Sequence, residues 1–270
     1  AYDPHSAYMS LSSMDDFDIE MKLSLVGIGA LLSAEDGAAK VVRLIPGGPA
    51  DMETRPDKKL KPGDKIIAVG EADRPAVDVL HWPLHKVVKL IRGGKGTRVF
   101  LTVIPASDPT GSTTKIIDLV RNEVKLEEQA ASAKYEQTKD SNGAVHSLGI
   151  VGLPTFYANM KAGVNDADFK SSAYDIAMLL SQMNDKNVEG VILDLRNNGG
   201  GALMEAIKLA GLFITTGPTV QVKERASVKV LPDLDPNVYY SGPLIVLVNR
   251  LSASASEIVA GALQDYGRAI

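Results

Sequence analysis

Residues 251–257 (LSASASE) alternate three serines with two alanines, between an apolar run at 242–249 (GPLIVLVN) and an alanine-rich apolar stretch. A serine where a strand gives way to a helix can act as a nucleophile if a neighbouring group takes its proton. The free N–H groups of the helix's first turn can then stabilise an oxyanion. The same residues support a plainer reading. Ser254-Ala-Ser-Glu257 matches the S-x-x-E capping box, in which the hydroxyl is committed to its own helix. Spacing leaves both open, and no base is in evidence. The histidines are His5, His81, His85 and His146, all far upstream. Three residues after Ser254 stands Glu257, so an S-x-x-K arrangement is excluded. Asp265, on the same helical pattern, is better suited to orienting or pairing than to accepting the serine proton.

A second segment, 191–203 (VILDLRNNGGGAL), ends an apolar strand in Asp194 and Arg196 and opens the next helix with Gly199, Gly200 and Gly201. Glycines in series let backbone N–H groups approach a ligand closely, although a tight strand-to-helix turn needs them equally. A phosphate loop would require G-x-x-x-x-G-K-[ST], which is missing, and the G-x-G at Gly27–Gly29 lacks its third glycine. His81 and His85 are four apart, but Pro83 starts the helix between them and no Glu intervenes, so no metal is expected.

These segments need elements to position them. Residues 23–104 alternate short β-type runs (SLVGIGALL, AAKVVRLI, DKIIAVG, TRVFLTVI) with turns at IPGGPAD and LKPGDK and one helix at 83–92. Residues 126–144 are polar, with scattered apolar positions. Beyond them, VHSLGIVGLPTFY, a helix over 171–183, VEGVILDL, a helix over 202–213 and GPLIVLVN alternate as βαβ units of a largely parallel sheet. In such sheets, functional groups collect where strands end and helices begin.

Composition narrows the classes. A chain that is 45% hydrophobic, with mean hydropathy +0.01, buries a core. Net charge −4, with bases and acids interspersed, argues against a nucleic-acid partner. No apolar run approaches the roughly 20 residues that span a bilayer. The absence of cysteine excludes disulfides, thiolate metal sites and cysteine catalysis. The opening AYDPHSAYMS has no initiator Met and no leader-like pattern, as expected if a leader was removed or the sequence is an excerpt.

Taken together, SLVGIGALL, IPGGPAD, LKPGDKIIAVG, VILDLRNNGGGAL and NRLSASASEIVAGALQDYGRA resemble the C-terminal processing peptidases of family S41, bacterial tail-specific proteases in particular. The resemblance implies an α+β fold: a PDZ domain at 23–107, small and β-barrel-like with helices, plus an α/β crotonase/ClpP-like serine-protease core at 108–270. Residues 1–22 would end an N-terminal helical region. It further implies Ser254 as nucleophile, an oxyanion hole from the N–H of Ala255 and that of Gly201 or Gly200, and Asp265 as a supporting aspartate. The family's base is a lysine on the next strand, which would fall beyond Ile270. The core is therefore expected to be incomplete at its C-terminus, and this stretch alone inactive. No cofactor is implied.

In the PDZ unit, a peptide would add a strand beside SLVGIGALL and its carboxylate would meet the turn at Leu25, Val26, Gly27, Ile28 and Gly29. Leu25, Ile28 and Leu31, with Val87, Val88 and Ile91, would line an apolar pocket, or else be ordinary core. The implied partners are proteins with free apolar C-termini and an adaptor lipoprotein, in the periplasm. Two other readings stay open: a non-catalytic PDZ peptide-binding scaffold, and an acyl-transfer enzyme acting on a thioester.

Overall fold

The computed structural model describes residue 8 and residues 11–270 except 73, 109, 160, 167 and 168. His5 lies outside them. The chain divides into two units, 24–126 and the remainder, 1–23 with 127–270. Helix α1 (Leu11–Lys22) belongs to the second.

The first unit holds β1 (Ser24–Gly27), β2 (Ala30–Glu35), β3 (Ala38–Leu44), α2 (Pro49–Met52), β4 (Lys65–Glu71), β5 (Arg74–Asp78), α3 (Leu84–Ile91), β6 (Arg98–Ile104), β7 (Lys115–Val120) and β8 (Asn122–Lys125). An antiparallel sheet runs β2-β3-β4-β6-β7, with β5 on β4, and β1 pairs β8 in a separate ribbon. Strand period two decides the core: along β6, Val99, Leu101 and Val103 are buried and alternate with accessible positions. Helix α3 adds Val87 and Ile91, one turn apart, to the same cluster. Its C-terminus is capped by a buried arginine, Arg121, which donates to the Ile91 and Leu90 carbonyls at 2.8 and 3.0 Å.

This unit runs past the expected boundary at 107. The reason is pairing: β7 closes onto β6 and β8 onto β1, so residues 115–125 are held by strands far earlier in sequence.

The second unit continues with β9 (Ser132–Lys139), β10 (Val145–Gly152), α4 (Ser172–Asp185), β11 (Gly190–Asp194), α5 (Leu203–Gly211), β12 (Gly217–Lys223), β13 (Val228–Asp233), β14 (Leu244–Leu247) and α6 (Ala255–Asp265). The sheet order is β14-β11-β10-β9; β10, β11 and β14 are parallel, and β9 is antiparallel to β10. Register places Gly152 opposite Asp194 and Asp194 opposite Leu247. Three parallel strands therefore end together, and the chain leaves each at the same edge of the sheet.

Three strands here were not in the sequence reading. Strand β9 is almost wholly exposed, so its composition is polar and carries no apolar alternation. The β12–β13 hairpin lies outside the main sheet. Helix α4 starts at the N-cap Ser171, whose Oγ accepts from Tyr174 N–H, and α5 is tied to that start by a buried carboxylate. Glu205 accepts from Ser171 Oγ at 2.6 Å and Ala173 N–H at 2.9 Å, which sets the angle at which α5 begins.

Candidate active site

At the shared edge, the glycine run and the serine run meet. The turn after β11 begins with an ion pair. Arg196 donates to both oxygens of Asp194, at 2.9 and 2.6 Å, and this hydrogen bonding holds the Asp194 carboxyl below its ordinary range. Both groups satisfy each other. Asn197 follows with φ +63, then the fully buried Asn198, then Gly200 at φ +106 and Gly201 at φ +140. Those two angles require glycine. On one side the run is stitched to Phe156: Phe156 N–H donates to Gly200 O at 2.9 Å and Ala202 N–H to Phe156 O at 2.8 Å. On the other side it packs on the serines. A Cβ placed on Gly200 would stand 2.8 Å from Ser254 Cβ and 3.1 Å from Ala255 N.

The three serines have three different environments. Ser252 Oγ donates to Leu195 O at 2.8 Å and accepts from Asn249 N–H at 2.9 Å. Ser256 is buried and donates to Asn198 O at 2.9 Å. Both hydroxyls bind strand and turn backbone. Ser254 is exposed and sits at φ +54, ψ −113. A non-glycine residue there pays strain of about 1–3 kcal/mol, which the surroundings must impose.

Ser254 is also the N-cap of α6 and faces Glu257 in the capping-box arrangement. Glu257 Oε2 accepts from Ser254 N–H at 2.7 Å, and the Ser254 hydroxyl faces the Glu257 N–H across the box without reaching the geometry of a cap hydrogen bond. The cap and the uncommitted hydroxyl coexist on one residue.

Donors for an oxyanion stand beside it. The N–H of Ala255, in the first turn of α6, and that of Gly201 have no hydrogen-bond partner among the described residues. Gly200 differs: its N–H is taken by Asn198 Oδ1 at 2.8 Å. Of the two glycines expected as donors, Gly201 is the one left uncommitted.

Neither Asp265 nor any of the described histidines is brought to the hydroxyl. Asp265 closes α6 eleven residues after Ser254, about 16 Å along the helix axis, out of reach of the hydroxyl. It lines instead a cleft of about 460 Å³ between α6 and β12, with Glu257, Ile258, Gly261 and Tyr266. His146 stands near the start of β10, about 20 Å along the strand from the edge where Ser254 lies. There its Nδ1 lies 2.7 Å from Glu189 Oε2 and its Nε2 3.6 Å from Asp140 Oδ2. His81 and His85 belong to the other unit.

In that unit the residues expected to bind peptide separate into two sets. Ile28, Val87 and Ile91 are buried in the core, since each faces the sheet interior. Leu25 and Val26 lie on β1, paired to β8, so SLVGIGALL is two strands and not one. Its free edge is β2, which pairs only β3, carries the half-exposed Leu31 and contacts α3, where Val88 is half-buried. Between β1 and β2, Gly27, Ile28 and Gly29 form a tight connection with Gly29 at φ +73. The N–H groups of Ile28 and Gly29 have no partner among the described residues, while their carbonyls accept from Ala50 and Ile45.

Sequence reasoning missed Asn198. Its signal was the NN doublet before the glycines, which reads as turn chemistry.

Comparison with known proteins identifies what this chain is similar to. Residues 147–270 match the family described as Peptidase family S41. Over 269 residues the chain is 42% identical to the tail-specific protease of Haemophilus influenzae, covering 99% of this chain and 35% of that protein. It is 31% identical over 264 residues to the carboxy-terminal processing protease CtpA of Bacillus subtilis, covering 97% and 49%. A solved photosystem II D1 C-terminal processing protease is similar at 25% identity and TM-score 0.45, over 92% of this chain and 60% of that one. The chain thus spans about a third to a half of the curated relatives' length. Residues 147–270 thus carry a match to peptidase family S41, and nearly the whole chain is similar to tail-specific and carboxy-terminal processing proteases.

Proposed function

We propose that this chain carries the nucleophile and oxyanion hole of a serine endopeptidase that processes or degrades proteins from their C-termini. The observation that carries this reading is the state of Ser254: strained, exposed and with an uncommitted hydroxyl, while Ser252 and Ser256 are bonded on either side. Strain kept at one serine among three is the mark of a positioned reactive group.

In this reading Ser254 Oγ attacks the scissile carbonyl carbon as its proton passes to a base. The resulting oxyanion accepts from the N–H groups of Ala255 and Gly201. The C–N bond then breaks, the amine leaves with a proton, and water hydrolyses the acyl ester. The base is a lysine supplied from outside residues 1–270, as the family likeness implies. Asp265 enters as lining of the cleft along α6.

Residues 24–126 act as a PDZ-type tail sensor. A substrate's C-terminal strand would add to the free edge of β2 beside α3, with its carboxylate at the Ile28 and Gly29 N–H groups and an apolar side chain near Leu31 and Val88. A periplasmic setting belongs to the same likeness.

The test uses the full-length natural protein and an unfolded substrate with a free apolar tail. Cleavage should be lost in Ser254→Ala with tail binding intact, and slowed when the substrate tail is amidated. Cleavage by the Ser254→Ala variant would end the reading.

A further inference from the structure

Something must hold Ser254 in its strained conformation. The residue after which the chain is bent is bracketed by two hydrogen bonds to one acceptor: Ala253 N–H and Ser256 Oγ both donate to the backbone carbonyl of Asn198, at 3.1 and 2.9 Å. One donor precedes Ser254 and one follows it, so the Asn198 carbonyl pulls both flanks of the elbow inward. The Asn198 side chain works on the other half of the site. Its Oδ1 accepts from Gly200 N–H at 2.8 Å, and its Nδ2 donates to Leu153 O at 2.8 Å, just past the end of β10. Asn198 is fully buried, and its main-chain N–H donates to Leu195 O at 3.2 Å. One side chain and one peptide unit therefore join the end of β10, the glycine run and both flanks of the serine.

We infer that Asn198 is the positioning residue of this site: its carbonyl imposes the Ser254 elbow, and its amide withdraws the Gly200 N–H and leaves Gly201 and Ala255 as the oxyanion donors. This rests on the reading of Ser254 as nucleophile. An asparagine is needed because the position must accept from one backbone group and donate to another while uncharged in a buried place. Serine is too short to do both, and ionised aspartate has no donor for Leu153 O.

That chemistry supplies a test with its own signature. In Asn198→Asp, a protonated carboxyl reproduces both bonds, its C=O accepting from Gly200 and its O–H donating to Leu153. The ionised form sets a buried charge against the Leu153 carbonyl. In the full-length protein, Asn198→Ala is expected to lower kcat about 100-fold, the scale of a displaced oxyanion donor, with KM within about twofold. Asn198→Asp should show a kcat ratio to wild type that rises as pH falls, measured where circular dichroism shows both folded. Ser256→Ala removes one of the two donors to the Asn198 carbonyl and should lower kcat about tenfold; it also covers the case in which Asn198→Ala does not fold.

Full kcat in Ser256→Ala, together with a pH-independent ratio for Asn198→Asp, would overturn the inference. Ser254→Ala assayed alongside keeps the two ideas apart. If it is inactive while the Asn198 and Ser256 variants keep full kcat, only the positioning role fails. If it retains activity, the nucleophile reading fails first.

Discussion

Replacing Ser254 by glycine should make this protein more stable while abolishing the proposed chemistry. At φ +54, ψ −113 the serine carries strain of about 1–3 kcal/mol, and glycine adopts that conformation freely. Against this, glycine adds freedom to the unfolded chain worth about 0.4–1 kcal/mol. The net expectation is a gain of about 1 kcal/mol, the difference between those two ranges. Ser254→Ala keeps the strain and removes only the hydroxyl. Because that hydroxyl makes no cap bond, alanine should cost almost nothing, whereas deleting a true serine cap costs about 1 kcal/mol. The expected order of stability is therefore Gly above Ala, with Ala equal to wild type.

Urea unfolding of residues 1–270 can read this order. With a slope of about 1–3 kcal/mol/M, a gain of that size moves the midpoint by about 0.5 M. The single tryptophan, Trp82, lies in the other unit and reports the unfolding of that unit. The far-ultraviolet signal of α4, α5 and α6 carries the shift. A glycine variant less stable than the alanine variant, or an alanine variant weakened by about 1 kcal/mol, would mean that Ser254 is an unstrained cap.

The glycine run offers a graded contrast. A Cβ on Gly201 would lie 2.3 Å from Phe156 O with φ +140, while a Cβ on Gly199 meets nothing within 4 Å. Gly201→Ala should lower the unfolding free energy read by the same titration by about 2 kcal/mol or more and Gly199→Ala by less than about 0.5 kcal/mol; equal effects would refute the packing described. The histidine clasp at the far end of the sheet predicts a pH effect. Hydrogen bonds to Glu189 and Asp140 raise the His146 pKa, and the bond to His146 lowers that of Glu189. A raised histidine contributes stability that is fully present below its unfolded value of about 6.5 and lost as pH rises through the folded value. The carboxylates contribute above about 4.3 and lose it as pH falls. His146→Gln should therefore flatten the stability–pH curve above about pH 6.5. An NMR titration of the imidazole at or below its ordinary value would refute the clasp.

Much of the second unit was legible because it is local. Apolar runs of strand length alternating with helical periodicity announced β10, α4, β11, α5 and β14, and parallel pairing followed from that order. Glycines at 199–201 and serines at 252–256, each between a strand and a helix, marked the edge where chemistry would gather. Strand β9 was not legible, since it is exposed and polar; the β12–β13 hairpin does alternate, with Val220 and Val222 on one strand and Val228 and Val230 on the other, but it lies outside the βαβ order that the reading followed. The extension of the first unit to Leu126 was hidden because β7 and β8 are fixed by partners distant in sequence.

The sequence by itself determined which elements form, their order, and that two loop segments of suitable chemistry follow parallel strands. Sequence already set Ser254 apart, through its S-x-x-E spacing and the family likeness. Tertiary structure alone decided the surroundings: Ser252 bonds to Leu195, Ser256 to Asn198, and Ser254 is bent between them against Gly200. Helix rise sets Asp265 about 16 Å along α6 from Ser254, and Asn198 looked like turn filler until its carbonyl was found holding both flanks of the elbow. Strain and positioning arise from contacts between residues more than fifty apart, and hydrogen bonds of that span have no local pattern to announce them.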